Sequence, residues 1–150
     1  MAPLRSLGNP ISSFIDFYAR TGLDAAKPLY NPLYADDLFS THLWDGTGAS
    51  QTITNGIDLT EGGLIWTKYR NALEHHVLYD SERGKTGTYY DVLYSTLSNV
   101  QSTSNSWGPT AFNSDGFTLA GNNREFNGSG DDGYASWTFR KAPGLSLIHI

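Results

Sequence analysis

Two adjacent histidines, His75 and His76, are the first residues of this chain whose types suggest metal or acid–base chemistry. Adjacent residues on a β-strand point to opposite faces of the sheet, so this pair cannot bind one metal ion together. The spacings His-x-His and His-Glu-x-x-His, which do bring two ligands to one metal, are absent from the sequence. We therefore expect one histidine to be exposed and one to be packed, and we predict no metal site.

Asp80 and Glu82 are the second candidate, because two carboxylates two residues apart share one face of a strand and could act as an acid/base pair. Arg83 and Gly84 follow directly, which is typical of a charge cluster at a surface turn. The run Glu-x-Asp-x-x-Glu, which sandwich glycosidases of the laminarinase type carry on one strand, does not occur. We predict no catalytic residues and no enzymatic activity.

Two short segments, 113–116 and 131–133, offer the oxygen ligands that Ca²⁺ prefers. Neither has the third acidic position and the closing glutamate of a calcium-binding EF-hand loop, and Asx turns explain both segments without a metal. We predict no cofactor, with Ca²⁺ as the alternative.

A ligand site is suggested by a tryptophan in a polar loop and by a second loop, 122–133, that is rich in Gly, Asn and Asp. An exposed tryptophan offers a flat face for stacking against a sugar, and amides and carboxylates can bind its hydroxyl groups. The alternative is that this tryptophan anchors its loop on the domain. The candidate ligand-binding residues are Trp107, Asn122, Asn123, Asp131 and Asp132.

Short apolar runs separated by turn signals must position these side chains. Asn55-Gly56, between Ile53 and Ile57, predicts a tight turn, as does the segment 113–116. Together these patterns predict an all-β antiparallel β-sandwich of six or seven strands, preceded by a short N-terminal helix. The strand candidates are residues 38–44, 51–59, 63–70, 76–80, 110–112, 116–120 and 134–141, whereas 89–97 is compatible with helix or strand.

The final strand has the clearest alternation, with Ala135, Trp137 and Phe139 on one face and the intervening residues on the other. We predict that Trp66, Trp137 and Phe139 share one hydrophobic core.

The two ends of the chain differ from this β region. Ile11, Phe14, Ile15 and Tyr18 have helical spacing and predict an amphipathic helix over 10–20, followed by a proline-bearing linker. The predicted organisation is an attachment helix and linker over 1–37, a β-sandwich domain over 38–143 and a non-native tail over 144–150.

The tail ends in Leu-Ser-Leu-Ile-His-Ile, which looks like translated sequencing-adapter DNA. In that case the sandwich is incomplete, and a face or an edge beside the last strand is left open to another copy of the chain. The alternative is that the tail is an ordinary terminal strand.

Bulk properties exclude several classes of protein. A net charge of −5 over 150 residues argues against nucleic-acid binding, which needs clustered positive charge. Zero cysteines exclude a disulfide scaffold. No apolar run approaches the roughly 20 residues of a membrane-spanning helix, so we predict no membrane insertion.

Five ordered blocks of sequence resemble a domain of unknown function that is repeated in tail-associated proteins of marine bacteriophages. The blocks are QTITNGIDL (51–59), GGLIWTK (62–68), DSERG (80–84), TAFNSDGF (110–117) and ASWTFRKAP (135–143). The segments RSLGNP and TGLDA, before residue 26, are similar to the N-termini of such proteins.

The resemblance implies a concanavalin- or laminin-G-like sandwich (a jelly roll) in a virion tail or appendage, with no established enzymatic activity. We expect a structural, receptor-facing module whose partners are other virion proteins and a host-surface glycan or protein, with a homo-oligomer as a further expectation. A carbohydrate-binding module is the alternative function, and a polysaccharide-degrading enzyme is disfavoured by the missing carboxylate pattern.

Overall fold

A computed structural model describes residues 34–103, 106–130 and 133–142, all of which belong to one structural unit, Leu33–Ile150. The helix predicted over 10–20, the residues Asp131 and Asp132, and the tail over 144–150 lie outside the described residues. The predictions made for them remain predictions.

The described chain is almost entirely β-structure. A short helix at its N-terminal end, α1 (Ala35–Leu38), leads directly into the first strand. The strands are β1 (Phe39–Trp44), β2 (Gln51–Thr54), β3 (Gly63–Tyr69), β4 (Val77–Asp80), β5 (Lys85–Thr86), β6 (Tyr89–Tyr90), β7 (Val92–Tyr94), β8 (Gly108–Asn113), β9 (Gly116–Ala120) and β10 (Tyr134–Arg140). The predicted all-β class is confirmed, and the ambiguous segment 89–97 contains strands.

The strands form two main sheets, and every strand pair is antiparallel. The larger sheet has five strands in the order β1-β10-β3-β4-β7, and the smaller has three in the order β2-β9-β8. β5 and β6 form a separate two-stranded hairpin. This arrangement is consistent with the predicted β-sandwich.

The core contains side chains from both main sheets. From the larger sheet, the Trp44 ring stacks on Tyr134 with centroids 5.5 Å apart. From the smaller sheet, Phe117 meets Trp44 edge-on at 6.0 Å. Ile65 and Leu119, one from each sheet, are also fully buried in the same cluster. Aromatic packing of β1 and β10 in the larger sheet against β9 in the smaller sheet therefore holds the two sheets together.

The last strand, β10, buries the face opposite to the one predicted. Tyr134, Ser136 and Thr138 are at most 1% exposed, whereas Trp137 is half-buried and Phe139 is 39% exposed. The predicted alternation is correct, but the prediction of a core containing Trp137 and Phe139 is wrong. Trp66, directly opposite Trp137 on β3, is also half-buried on the outer face.

Hydrogen bonds explain the burial of two of these three polar side chains, whereas the Ser136 hydroxyl has no partner among the described residues. The Tyr134 hydroxyl donates to the Arg124 carbonyl at 2.8 Å and accepts from the Gly128 N–H at 2.8 Å. The Thr138 hydroxyl accepts from Asn55 Nδ2 at 2.8 Å. A buried hydroxyl with such partners avoids most of the cost of leaving water.

β10 is an interior strand. It pairs with β1 over Tyr134–Phe139 on one side and with β3 over its whole length on the other. Both edges of the last strand are therefore paired, whereas its outer face, the other alternative that was predicted, is partly open at Phe139. In the described part of the larger sheet, the edge strands are β1 and β7.

Candidate binding site

The Gly/Asn-rich loop that was predicted to bind a ligand is organised around a buried asparagine, Asn127. Its side-chain oxygen accepts from the Thr47 N–H at 3.0 Å and from Gln51 Nε2 at 2.7 Å. Its amide nitrogen donates to the carbonyls of Ala49 at 2.8 Å and Gly121 at 3.1 Å. Asn127 therefore fixes the loop against the connection between β1 and β2.

The two predicted ligand-binding asparagines of this loop have internal roles. The side-chain oxygen of Asn122 accepts from the Ser129 N–H at 3.0 Å, and that of Asn123 accepts from the Glu125 N–H at 2.7 Å. Asn122 is exposed and Asn123 is half-buried, so part of Asn122 remains accessible to a ligand.

Trp107, the third described member of the predicted site, is half-buried and packs against the hydrophobic core. It lies beside Gly121, where an added Cβ would come within 2.6 Å of the Trp107 Cα. The structure thus brings Trp107 next to the residue that precedes Asn122. Its packing corresponds to the loop-anchor alternative.

His75 and His76 point to different surroundings, as their adjacency predicted. His75 Nδ1 lies 2.8 Å from the Thr96 hydroxyl, and its ring meets Tyr94 edge-on. His76 Nδ1 accepts a hydrogen bond from Trp66 Nε1 at 3.0 Å. Burial, and then the Lys68 ammonium, hold the pKa of His76 below its ordinary value. Both histidines are half-buried, so neither is the exposed member that was expected.

The carboxylates of Asp80 and Glu82 do not share a strand face, because β4 ends at Asp80. Asp80 forms an ion pair with Arg83 at 2.8 Å and also accepts the Arg83 N–H. Glu82 pairs with Lys141 at 2.6 Å. The two carboxylates are therefore held apart by separate basic partners.

The predicted turn at 113–116 joins β8 to β9. Its acidic residue, Asp115, forms a hydrogen bond within the fold. Asp115 Oδ1 accepts from the Gly56 N–H at 2.9 Å.

Among residues 34–103, 106–130 and 133–142, no group of three or more His, Asp or Glu side chains could hold a metal ion. In the same residues, no helix has the length and hydrophobicity to cross a membrane.

An open pocket of about 300 Å³ lies on the surface, and the sequence did not predict it. It is lined by residues 59–62, by residues 81–82, and by Tyr90 and Phe112. Its volume is at the lower end of the range for small-ligand sites. The lining comes from four separate segments, and β3 and β4 flank two of them.

Backbone hydrogen bonds hold the pocket's first wall in place. Gly62 has φ +102° and donates its N–H to the Leu59 carbonyl at 2.9 Å, which forms a tight turn. Gly63 donates to the Ser81 hydroxyl at 3.1 Å, and Ser81 returns its N–H to the Gly63 carbonyl. These bonds place Glu61 and Glu82 at the same opening.

The second wall is aromatic. The rings of Tyr90 and Phe112 stack with centroids 4.3 Å apart and an interplanar angle of 15°. Lys85 lies over the Tyr90 ring at 4.8 Å from the centroid. Burial raises the pKa of Tyr90 above its ordinary value of 10.0, and its hydroxyl, protonated at neutral pH in either case, can donate a hydrogen bond.

Taken together, the pocket offers two carboxylates, three hydroxyl groups (Thr60, Ser81 and Tyr90) and two aromatic rings. Carboxylate and hydroxyl oxygens accept hydrogen bonds from a ligand's hydroxyl groups, and aromatic rings contact its apolar faces. Lys141 neutralises Glu82, and the hydrogen bond and charge of Glu82 raise the pKa of Lys141.

Comparison with known proteins identifies one family. No curated protein and no solved structure matches the chain. A family model described as a domain of unknown function, DUF7483, matches residues 34–146, which is more than half of the 150-residue chain. The chain therefore belongs to the DUF7483 family of domains of unknown function.

Proposed function

We propose that this domain is a non-catalytic, receptor-facing module of a bacteriophage tail or appendage protein, and that its receptor contact is made in the pocket between Glu61 and Tyr90. The phage assignment rests on the ordered blocks of sequence that resemble tail-associated proteins. The single observation that carries the binding role is the open pocket, which combines aromatic rings with hydrogen-bonding groups. The location that follows is the virion, with other virion proteins as neighbours.

A carbohydrate-binding module is the second candidate, and the same pocket favours it. A sugar ring has a polar rim of hydroxyl groups and an apolar face. Glu61, Glu82 and Ser81 supply partners for the rim, and Phe112 supplies an apolar wall. The two functions coincide if the receptor is a host-surface glycan.

The proposal leaves out catalysis because of how the pocket's carboxylates are held. The Lys141 ammonium donates to Glu82 Oε1 at 2.6 Å and so occupies an oxygen that a general acid would need for its proton. Glu61 is exposed to solvent, whereas a carboxylate that donates a proton near neutral pH is usually buried in an apolar site.

A glycan array probed with the full chain tests this proposal. We expect binding without release of shorter sugars, and Glu61→Gln should weaken binding because the amide accepts hydrogen bonds less strongly than the carboxylate. Glu74→Gln is the matched control, since Glu74 lies outside the pocket and pairs loosely with Arg124 at 3.7 Å. Hydrolysis of a glycan, or equal effects of the two substitutions, would contradict the proposal.

The virion location needs a separate measurement. Peptides of this chain should be found by mass spectrometry in gradient-purified phage particles. Their absence from particles that contain the other tail proteins would contradict the tail assignment.

A further inference from the structure

Among the described residues, the first strand of the larger sheet, β1, is an edge strand without the features that usually protect an edge. Its six residues, Phe39–Trp44, pair with β10 without a register shift. Alternate N–H and C=O groups of such a strand point away from its neighbour. No strand in the described part of the chain pairs with that other side.

The remaining edges are protected. At the opposite edge of the same sheet, β7 is three residues long, and Val92 exchanges two backbone hydrogen bonds with Ser102. In the smaller sheet, β8 contains Pro109, which has no N–H, and β2 is only four residues long. These are common ways of preventing edge-to-edge pairing.

β1 has none of these protections. Its sequence, FSTHLW, contains no proline, lysine or acidic residue. On its outer face Phe39 is 41% exposed and Leu43 is 58% exposed, and Thr41 between them is also exposed. Phe139 of β10 contacts the Phe39 ring at 4.8 Å and extends the apolar surface by one strand.

We propose that two copies of this chain associate through β1, which pairs antiparallel with β1 of the second copy so that the five-stranded sheet continues across the dimer. A two-fold symmetric pair of this kind must be centred between identical residues. Directly opposed residues of antiparallel strands point to the same face, so the centre must coincide with a residue rather than fall between two. The candidates in the middle of the strand are Thr41 and His42.

The pattern of side chains selects Thr41. With Thr41 opposite Thr41 of the second copy, Phe39 lies opposite Leu43, and symmetry forms this apolar pair twice. Ser40 then lies opposite His42 on the inner face, which places two polar side chains together. Centring on His42 would instead leave Phe39 without an opposed residue in the strand. A second copy is favoured over an unrelated strand because, in this register, the apolar and polar side chains of β1 lie opposite side chains of the same kind in the other β1.

The test compares the full chain with two leucine substitutions in sedimentation equilibrium. We expect the unmodified chain to reach twice its mass of 16.5 kDa at micromolar concentrations. Leu43→Lys places a charge in both apolar pairs and should weaken association about tenfold or more. Leu73→Lys is the matched control, because Leu73 is fully exposed outside any strand. It should leave the dimer unchanged, and circular dichroism should confirm that both variants are folded.

Single cysteines test the register, since the chain has none of its own. Directly opposed residues have Cα atoms about 4.5–5.5 Å apart, within the range for a disulfide. Thr41→Cys should therefore cross-link into a dimer under mild oxidation much faster than Leu73→Cys at the same concentration. Equal cross-linking rates, a monomeric chain at about 100 µM, or equal effects of Leu43→Lys and Leu73→Lys would each overturn the proposal.

Discussion

Replacing Asn127 with alanine is the sharpest test of how the loop over residues 121–130 is held. The change removes four hydrogen bonds, to the Thr47 N–H, the Gln51 amide, and the carbonyls of Ala49 and Gly121. At about 0.5–1.5 kcal/mol for each bond, the loss is about 2–6 kcal/mol. All four partner residues are exposed or half-buried, so water can reach them after the change. We therefore expect the free energy of unfolding to fall by about 2–3 kcal/mol, the lower part of that range.

Thermal unfolding followed by circular dichroism measures this loss. For a domain of this size, a loss of about 2–3 kcal/mol corresponds to a fall in melting temperature of roughly 8–15 °C. Asn122→Ala is the matched control in the same loop, because Asn122 is exposed and its side-chain oxygen accepts one hydrogen bond, from the Ser129 N–H. It should cost less than about 1 kcal/mol. Similar melting temperatures for the two variants would refute the idea that Asn127 organises the loop.

Three further predictions concern the larger sheet. Thr67→Val removes a buried hydroxyl that has no hydrogen-bond partner in the described residues, so it should raise the free energy of unfolding by about 0–1 kcal/mol. Thr138→Val leaves the half-buried Asn55 amide without this acceptor and should lower the free energy of unfolding in the same urea titration. Trp137→Ala should cost roughly 1–2 kcal/mol rather than the roughly 3–5 kcal/mol of a fully buried tryptophan, and a larger loss in urea denaturation would place Trp137 in the core after all. The pKa of His76 is lowered by burial and by Lys68, so the stability due to neutral His76 is complete above its ordinary value of 6.5 and declines as the pH falls through it. Lys68→Met should raise the pKa of His76 in an NMR titration, and an unchanged value would exclude the charge effect.

Local patterns in the sequence were sufficient to predict most strands. The segment 113–116 forms the predicted turn between β8 and β9, where Asn113 pairs with Gly116. β9 and the start of β3 agree with the predicted bounds. Turn residues and period-two alternation act over a few residues, so these features depend little on the rest of the fold.

Long-range pairing was less predictable. The chain does bend at Asn55-Gly56, with φ +81° at Gly56, but the segments on its two sides do not pair with each other. β2 pairs with β9, and the Asn55 N–H bonds to the Asp115 carbonyl at 3.2 Å. A partner about sixty positions away in the sequence leaves no signal in the local pattern.

The predicted ligand site illustrates the same limit. The spacing of Trp107 and Asn122 gives no sign that Gly121 brings them together, nor that Trp107 packs on the core. The pocket beside Glu61 was missed because its lining comes from four separate segments. The sequence did single out one lining residue, Glu82, but as the partner of Asp80 in an acid/base pair and not as part of a pocket.

β10 buries its polar face and leaves its apolar face outside, and this connects the fold with the proposed association of two chains. An alternating strand has two faces, and the larger apolar side chains normally identify the buried one. In β10 the buried hydroxyls of Tyr134 and Thr138 instead hold two loops, through Gly128 and Asn55, so the polar face is needed inside. The apolar side chains are then left on the outer face, where Phe139 is 39% exposed next to β1. The hydrogen bonds that fix the loops thereby also create an apolar surface suited to contact with a second molecule.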